Sequence, residues 1–197
     1  MGGAASLIDW VSYALQRNED PVTERDRLTR FETALLPHLD AAYDLARWLT
    51  RDDRDADDVV QEAYLRALRF IDGLRGDDGR AWLLTIVRRT CYTWLARQRD
   101  ARQTALVAVD DQPDDASPNP EALLIQRADR TLVRSAIQAL PLEFREVLVL
   151  RELENLSYKE IAAVVEVPLG TVMSRLARAR ERLHHDLVRR VSRGGSS

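Results

Sequence analysis

Apolar residues recur at intervals of three and four along almost the whole sequence, and this spacing limits the possible folds more than any other feature. Val60, Ala63, Tyr64, Ala67 and Ile71 are one such series. The spacing is that of one face of an α-helix, whereas a half-buried strand would alternate apolar and polar residues. The sequence therefore predicts an all-α protein.

One segment without this periodicity divides the chain. Residues 109–122, "VDDQPDDASPNPEA", contain three prolines and four aspartates and almost no apolar residue, so they can neither nucleate a helix nor bury a core. We interpret residues 103–120 as a flexible acidic linker between two small helical domains, 29–102 and 121–193. Residues 1–28 form an N-terminal extension, which is open to interpretation as a short helix, a leader or a docking arm.

Charge is distributed in blocks that the formal net charge of -3 conceals. Residues 80–103 contain six arginines and one aspartate, and residues 170–197 contain seven arginines against one glutamate and one aspartate. Between these basic blocks, residues 104–121 contain four aspartates, one glutamate and no base. The two basic blocks are therefore candidate surfaces for binding a polyanion.

The second basic block follows a predicted helix-turn-helix. Ser157 and Glu160 in "SYKE" form a capping box, which marks a helix start. Pro168 interrupts that helix, and a second one is predicted to begin between Leu169 and Thr171, as in a helix-turn-helix. At 100° per residue the second helix has an apolar inner stripe and a small, basic outer side. The inner stripe comprises Val172, Leu176, Ala179 and Leu183, and the outer side comprises Ser174, Ala177, Arg178 and Glu181, with Thr171, Arg175 and Arg182 on its flank.

A small, basic face of this kind suits the major groove of DNA. Small residues allow the helix to enter the groove, and an arginine can donate two hydrogen bonds to guanine. Arg178 is the best candidate for such a contact. The alternative is a solvated helix whose arginines only keep the protein soluble.

Two helices of the first domain also have unusual outer faces. On the helix over 55–71, Asp58, Gln61, Glu62 and Arg69 surround Leu65; the leucine is expected to be exposed, either without significance or as the centre of an interface. On the helix over 80–99, arginines flank an aromatic ring, which is the composition of a surface that holds single-stranded nucleic acid. That outer face contains Arg88, Arg89 and Tyr92, whereas Trp82 and Trp94 are interpreted as core.

Other kinds of site find little support in the sequence. Cys91 is the one cysteine, so it forms no internal disulfide, and the three histidines have no metal-ligand spacing with it. We expect Cys91 to be a small thiol that is buried or half-buried. There is no P-loop and no nucleophile beside a base, no cofactor is expected, and no apolar run is long enough to cross a membrane. We therefore expect a cytoplasmic protein that is not an enzyme.

In this order, the three helices and the linker resemble the bacterial sigma factors of the extracytoplasmic-function group, within the sigma-70 family. "DADDVVQEAYLRAL" (55–68) resembles the region of the family that docks on core RNA polymerase, and "RAWLLTIVRRTCYTWLARQR" (80–99) resembles the region that recognises and opens the minus-10 element. The stretch from "ALPLEF" (139–144) to "RARERL" (178–183) resembles region 4, which reads the minus-35 element.

The resemblance implies a role for each candidate residue. It makes Asp58, Gln61, Glu62 and Leu65 contacts to core polymerase, and it places Arg88, Arg89 and Tyr92 against the non-template strand of the minus-10 element. It places Ser174, Arg175 and Arg178 in the minus-35 groove, with Thr171 near its phosphates. It also implies an anti-sigma factor as a partner, a role in stress response, and a path for the acidic linker through the channels of the polymerase.

Two residues depart from the family pattern. Arg89 stands where the family usually has asparagine, which puts the minus-10 specificity in question. Glu166 stands where the turn of the helix-turn-helix usually has glycine, and glutamate is poorly suited to a positive φ. The predicted function is nevertheless that of a transcription initiation factor; a self-standing helix-turn-helix regulator that binds duplex DNA by itself is the alternative.

Overall fold

The computed structural model describes residues 21–76, 78–105 and 131–194, all of whose regular elements are helical. In the first domain, α1 (Pro21–Leu35) leads through a 3-10 turn into α2 (Leu39–Thr50), α3 (Asp53–Arg69) and the long α4 (Gly79–Ala105). In the second, α5 (131–138) is followed by α6 (Leu142–Glu152), α7 (Tyr158–Val165) and α8 (Leu169–Gly194). The prediction of an all-α fold with two helical domains is confirmed.

Helix α3 begins at a residue that the sequence analysis did not single out. The side chain of Asp52 is its N-cap and accepts hydrogen bonds from the backbone N–H groups of Arg54 and Asp55, which satisfies two of the donors that a helix start leaves unpaired. The inward stripe predicted for this helix is confirmed, because each of its members is buried. These are Val60, Ala63, Tyr64, Ala67 and, just beyond the helix, Ile71.

Helix α1 covers the first domain from one side. Phe31 packs edge-on against Tyr64 with ring centroids 5.9 Å apart, and the Tyr64 hydroxyl donates to the carbonyl of Leu35 at 3.1 Å. Gly79, at the start of α4, lies so close to the Ala34 carbonyl that a Cβ atom would clash with it. The same helix runs from Pro21 to Leu35 and so continues through the expected boundary at 28/29.

The other sequence expectations fall partly outside the described residues. Residues 1–20 of the expected extension lie outside them, as does the expected linker except for 103–105, which continue α4. Cys91 is fully buried, as predicted. Trp82 and Trp94 are half-buried and pack against the core, in agreement with their interpretation. Within the described ranges, no helix is long and apolar enough to span a bilayer.

The two domains pack against each other and share one apolar core. Buried residues of α2, α3 and α4 form a single cluster with Val147, Val149 and Leu150 of α6 and with residues of α7 and α8. A smaller cluster between α6 and α8 includes Phe144, Leu148 and Ala179. Helix α6 therefore lies between the first domain on one side and α8 on the other.

Candidate nucleic-acid interface

The helix-turn-helix is formed as the sequence predicts. Ser157 caps α7 through its side chain, which accepts from the backbone N–H of Glu160, while the Glu160 carboxylate accepts from the backbone N–H of Ser157 at 2.6 Å. Helix α7 ends at Val165, and its C-cap Glu166 adopts the left-handed conformation with φ 57° and ψ 43°. Pro168 follows, and α8 begins at Leu169.

The predicted outer face of α8 is accessible along most of its length. Ser174, Ala177 and Arg178 are exposed, and Thr171 is half-buried. The opposite stripe packs inward, because Val172, Leu176 and Ala179 are buried and Leu183 is partly buried against the core. Residues small enough to enter a groove therefore lie beside the exposed Arg178 on one continuous face.

Helix α4 carries the second set of candidate nucleic-acid contacts, and the second domain packs against part of it. The guanidinium of Arg88 lies 4.6 Å from the centroid of the Tyr92 ring, in a cation–π contact. Both residues are half-buried, whereas the neighbouring Arg89 stays exposed. The three residues thus share one face as predicted; Arg88 and Tyr92 lie against the second domain, whereas Arg89 remains accessible to solvent.

A fully buried carboxylate of α6 binds this face. Glu146 has 0% of its side chain exposed, and it accepts hydrogen bonds from Arg88 Nε at 2.7 Å and from the Tyr92 hydroxyl at 2.9 Å. Its other oxygen accepts from Arg175 Nη1 of α8 at 3.2 Å. One carboxylate therefore holds members of both candidate nucleic-acid surfaces.

Electrostatics at this cluster follow from burial and from the ion pairs. Burial disfavours the charged Arg88, but its hydrogen bond to Glu146 and the charge of that carboxylate prevail, so its pKa lies above the ordinary value. Burial and the negative charge of Glu146 both raise the pKa of Tyr92. At neutral pH Arg88 is therefore a cation and Tyr92 a neutral hydrogen-bond donor.

The two residues that depart from the family pattern contact each other. Arg89 of α4 donates to both carboxylate oxygens of Glu166, with Nε 3.0 Å from Oε2. This hydrogen bond holds the pKa of Glu166 below its usual value. The strained turn of the helix-turn-helix is therefore fastened to the first domain by a two-point ion pair.

The candidate polymerase face lies on α3, away from these contacts. Asp58 and Gln61 are exposed, and Glu62 is half-buried and paired with Arg66 at 2.8 Å. Leu65 is half-buried rather than exposed, which corrects the expectation. The large exposed apolar residue of this region is instead Phe70, with 65% of its surface accessible.

Sequence reasoning missed the acidic partners of the arginines. Besides Glu146 and Glu166, the nearly buried Glu154 accepts from Arg80 of α4 at 2.6 Å. The available signal was the charged pair Arg145 and Glu146 inside "FREVLVL" (144–150), whose other residues are all apolar. In the structure every residue of this stretch is buried. A helix buried on all sides cannot lie on the surface of a single small domain.

Comparison with known proteins identifies both domains. Residues 35–102 match the family model for sigma-70 region 2, and residues 130–183 match that for sigma-70 region 4. The chain is 37% identical over 147 residues to the ECF RNA polymerase sigma-E factor of Escherichia coli strain K12, with 69% of this chain and 77% of that protein covered. The chain belongs to the extracytoplasmic-function group of the sigma-70 family.

Further relatives agree with this assignment. The sigma factor is 30% identical to ECF RNA polymerase sigma factor SigE of Mycolicibacterium smegmatis over 178 residues, 90% of this chain and 69% of that one. Among solved structures it is similar to the sigma factor RpoE in complex with the anti-sigma factor NepR from Bartonella quintana, with a TM-score of 0.67, 27% identity, and 80% of this chain and 96% of that chain covered. It also resembles CnrH in complex with the cytosolic domain of CnrY, with a TM-score of 0.55, 26% identity, and 79% and 85% of the two chains covered.

Family membership defines the general activity. The protein is a sigma factor, a transcription initiation factor that binds core RNA polymerase and promoter DNA, and it is not an enzyme. Its own contribution is recognition, while bond formation belongs to the polymerase. The described residues contain no group of three or more side chains that could hold a metal ion.

Proposed function

We propose that this sigma factor reads the minus-35 element with the outer face of α8, through Thr171, Ser174, Arg175 and Arg178. The observation that carries this proposal is the exposed small-and-basic face that follows a well-capped turn. Arg178 has the reach and the two donors needed for a guanine edge. Thr171, close to the N-terminus of α8, lies where backbone N–H groups and the helix dipole favour a phosphate.

Helix α4 is proposed to contact the minus-10 element through Arg88, Arg89 and Tyr92. Cationic head groups bind the phosphates of a displaced strand, and a tyrosine ring offers a surface on which an unpaired base stacks. The cation–π contact between Arg88 and Tyr92 supports this role, since it keeps a charge and a ring side by side. Arg89 replaces the usual asparagine, so the base preference at its position is expected to differ from that of related factors.

The outer face of α3 is proposed to dock on core polymerase. Asp58 and Gln61 are exposed, and Leu65 and Glu62 are half-exposed beside them. An apolar centre with a polar rim is the usual composition of a protein interface. Because this face lies away from the contacts between the domains, polymerase can reach it without moving the second domain.

In vitro transcription tests these assignments. Purified protein is added to core polymerase and a promoter library, and we expect specific transcripts that are absent without the protein. Asp58→Arg is expected to lower transcription at least tenfold, and Asp26→Arg, with the same charge change at an exposed site of α1, serves as its control. Arg178→Ala is expected to relax the preference at one upstream base pair, at a cost of about 1–3 kcal/mol.

The same experiment separates the sigma factor from a self-standing regulator. A regulator would bind duplex DNA tightly without polymerase and would leave core transcription unchanged on the library. Wild-type transcription by both Asp58→Arg and Arg178→Ala would contradict the site residues proposed above.

We further propose that an anti-sigma factor controls this protein and that it acts in the cytoplasm. Both of the similar solved structures are complexes, one with the anti-sigma factor NepR and one with the cytosolic domain of CnrY. The core polymerase and promoter DNA that a sigma factor binds are in the cytoplasm. We also propose that the two domains span residues 29–102 and 121–193, and that the first extends back to Pro21, where α1 begins.

A further inference from the structure

Helix α8 begins with two exposed apolar side chains that the proposed function leaves unused. Leu169 is 41% exposed and Met173 is 52% exposed, and neither belongs to the apolar clusters found among the described residues. They are four positions apart and are therefore neighbours on successive turns of the helix. A single exposed apolar residue is common, but these two are adjacent and lie beside a face that is proposed to read DNA.

Met173 is a long side chain among short ones. Its exposed neighbours Ser174 and Ala177 are small, and Gly170, one turn earlier, has no side chain and only open space beside its Cα. A helical methionine leans toward the preceding turn, which here is the turn of Gly170. The groove of a duplex can therefore approach the helix closely at this point, and Met173 would be the first side chain to meet it.

The two flanks of this face differ in charge. Thr171 and Arg175 lie on one flank, whereas Met173 lies on the other, about 160° away from Arg175 at 100° per residue. Two turns further along the flank of Met173, Arg180 binds the carboxylate of Glu152 at 2.6 Å. One flank thus carries a cation for DNA, and the other begins with an apolar surface.

An apolar side chain has one good partner in the major groove. The base edges present hydrogen-bond donors and acceptors there, and thymine alone adds a methyl group, at C5. Methionine over a donor or acceptor would leave that group without a hydrogen bond, which is costly. Against a methyl group it removes apolar surface from water on both sides, and its unbranched, polarisable chain adapts to the position of that group.

Resting on the proposed function of α8, we propose that Met173 is a further specificity-determining residue, which reads the methyl group of a thymine in the minus-35 element. Leu169 continues this apolar surface toward the start of the helix. The element that the sigma factor prefers therefore contains an A·T pair whose thymine methyl faces Met173. This preference is separate from the guanine contact proposed for Arg178.

Deoxyuridine in place of thymidine tests the proposal, because it removes the methyl group and leaves base pairing unchanged. Transcription of a promoter library by the full chain with core polymerase first gives the preferred upstream element. Each of its thymines, on either strand, is then replaced in turn, and the modified template competes with the unmodified one in the same reaction. For wild type we expect one replacement to lower relative transcription about threefold, as for the loss of one buried methyl group.

Three variants show whether Met173 is the source of this discrimination. Met173→Gln has nearly the same length but a polar end, and it is expected to use the two templates equally. Met173→Leu keeps an apolar end and is expected to retain the preference for thymine. Val188→Ala is the matched control, because Val188 is also 52% exposed on α8 but lies about 22 Å further along the helix; it is expected to discriminate as wild type does.

Failure of the inference can be told apart from failure of the proposed function. The inference is overturned if the preferred element has no A·T pair, if wild type ignores every replacement, or if Met173→Gln discriminates as wild type does. In each of these cases a base preference that Arg178→Ala relaxes leaves the proposed role of α8 in place. If Arg178→Ala and Met173→Gln both keep the whole upstream preference of wild type, α8 does not read the element, and the proposed function fails together with the inference.

Discussion

At the scale of single residues, Glu146 shows how one buried carboxylate can organise several elements. It receives hydrogen bonds from α4 and α8 while being part of α6. Isolated buried charges are costly, but this one has three donors, two of them cationic. Its removal would leave Arg88 and Arg175 without their shared counter-charge.

We therefore predict that Glu146→Gln lowers the free energy of unfolding by about 3 kcal/mol, as expected when one partner of a buried ion pair is removed. Urea denaturation followed by circular dichroism measures this change. Glu152→Gln is the control, because Glu152 and Arg180 are both about half exposed, and we expect less than about 0.5 kcal/mol there. Equal effects in the two variants would contradict the central position given to Glu146.

Cys91 is a second residue whose chemistry burial determines. It is fully buried in α4, and burial raises its pKa to about 12. The thiolate, the reactive form, is therefore absent at neutral pH and the sulfur is shielded from solvent. This favours a structural role over the sensing of oxidants.

Two measurements follow for Cys91. Iodoacetamide at pH 8 should modify it at least about a hundredfold more slowly in the native protein than in denaturant, because reaction requires an exposed thiolate.

Since the unfolded thiol ionises near pH 9 and the folded one near pH 12, the folded state retains a proton that the unfolded state loses. The stability of wild type relative to Cys91→Ala should therefore fall as pH rises from 9 to 12, and a rise would refute the burial argument.

At the scale of elements, the helix-turn-helix combines a strong helix start with an unfavourable helix end. The capping box at Ser157 satisfies donors at the start of α7. At its end Glu166 holds a left-handed conformation, which costs a non-glycine residue about 1 kcal/mol. The turn keeps its shape because buried residues on both helices, including Ile161 and Val172, fix the two helices against the core.

The capping box is expected to contribute measurably to stability. Ser157→Ala should destabilise the protein by about 1 kcal/mol, the usual cost of losing an N-cap side chain, as measured by thermal unfolding. Ser192→Ala is a suitable comparison, because its hydroxyl only donates to the Val188 carbonyl within α8 and it should change stability by less than about 0.5 kcal/mol. A loss in Ser192→Ala as large as in Ser157→Ala would argue against the capping box.

At the scale of the whole molecule, the shared core makes the two domains one cooperative unit. Residues of both domains belong to a single apolar cluster, in which α6 is an integral part. The four tryptophans all lie at or before position 94, so fluorescence reports on the first domain and the segment that precedes it. Circular dichroism, in contrast, reports on the helices of both domains.

We predict that tryptophan fluorescence and circular dichroism report the same unfolding midpoint for wild type, as in a two-state transition. In Glu166→Arg, which loses only the partly exposed ion pair with Arg89, the two midpoints are expected to stay together, because the apolar core still joins the domains. Divergent midpoints already in wild type would mean that the shared core does not couple the domains.

The sequence by itself determined the all-α class, the helices over 55–71 and 80–99, the helix-turn-helix, the capping box and the face of α8, because these depend on residues only three or four positions apart. It also distinguished the inner from the outer face of α3 and α4. The resemblance of three short stretches then led to the family, which the comparisons confirmed. Even the two departures from the family pattern could be read from the sequence, each taken separately.

Only the tertiary structure decided that those two departures meet. Arg89 and Glu166 are 77 positions apart, and Tyr92 and Glu146 are 54 apart, so no local pattern links them. The partial burial of Leu65 and the complete burial of Glu146 likewise depend on what packs nearby. Ion pairs between distant segments form where apolar helices bring them together, and that arrangement belongs to the packed core rather than to any stretch of sequence.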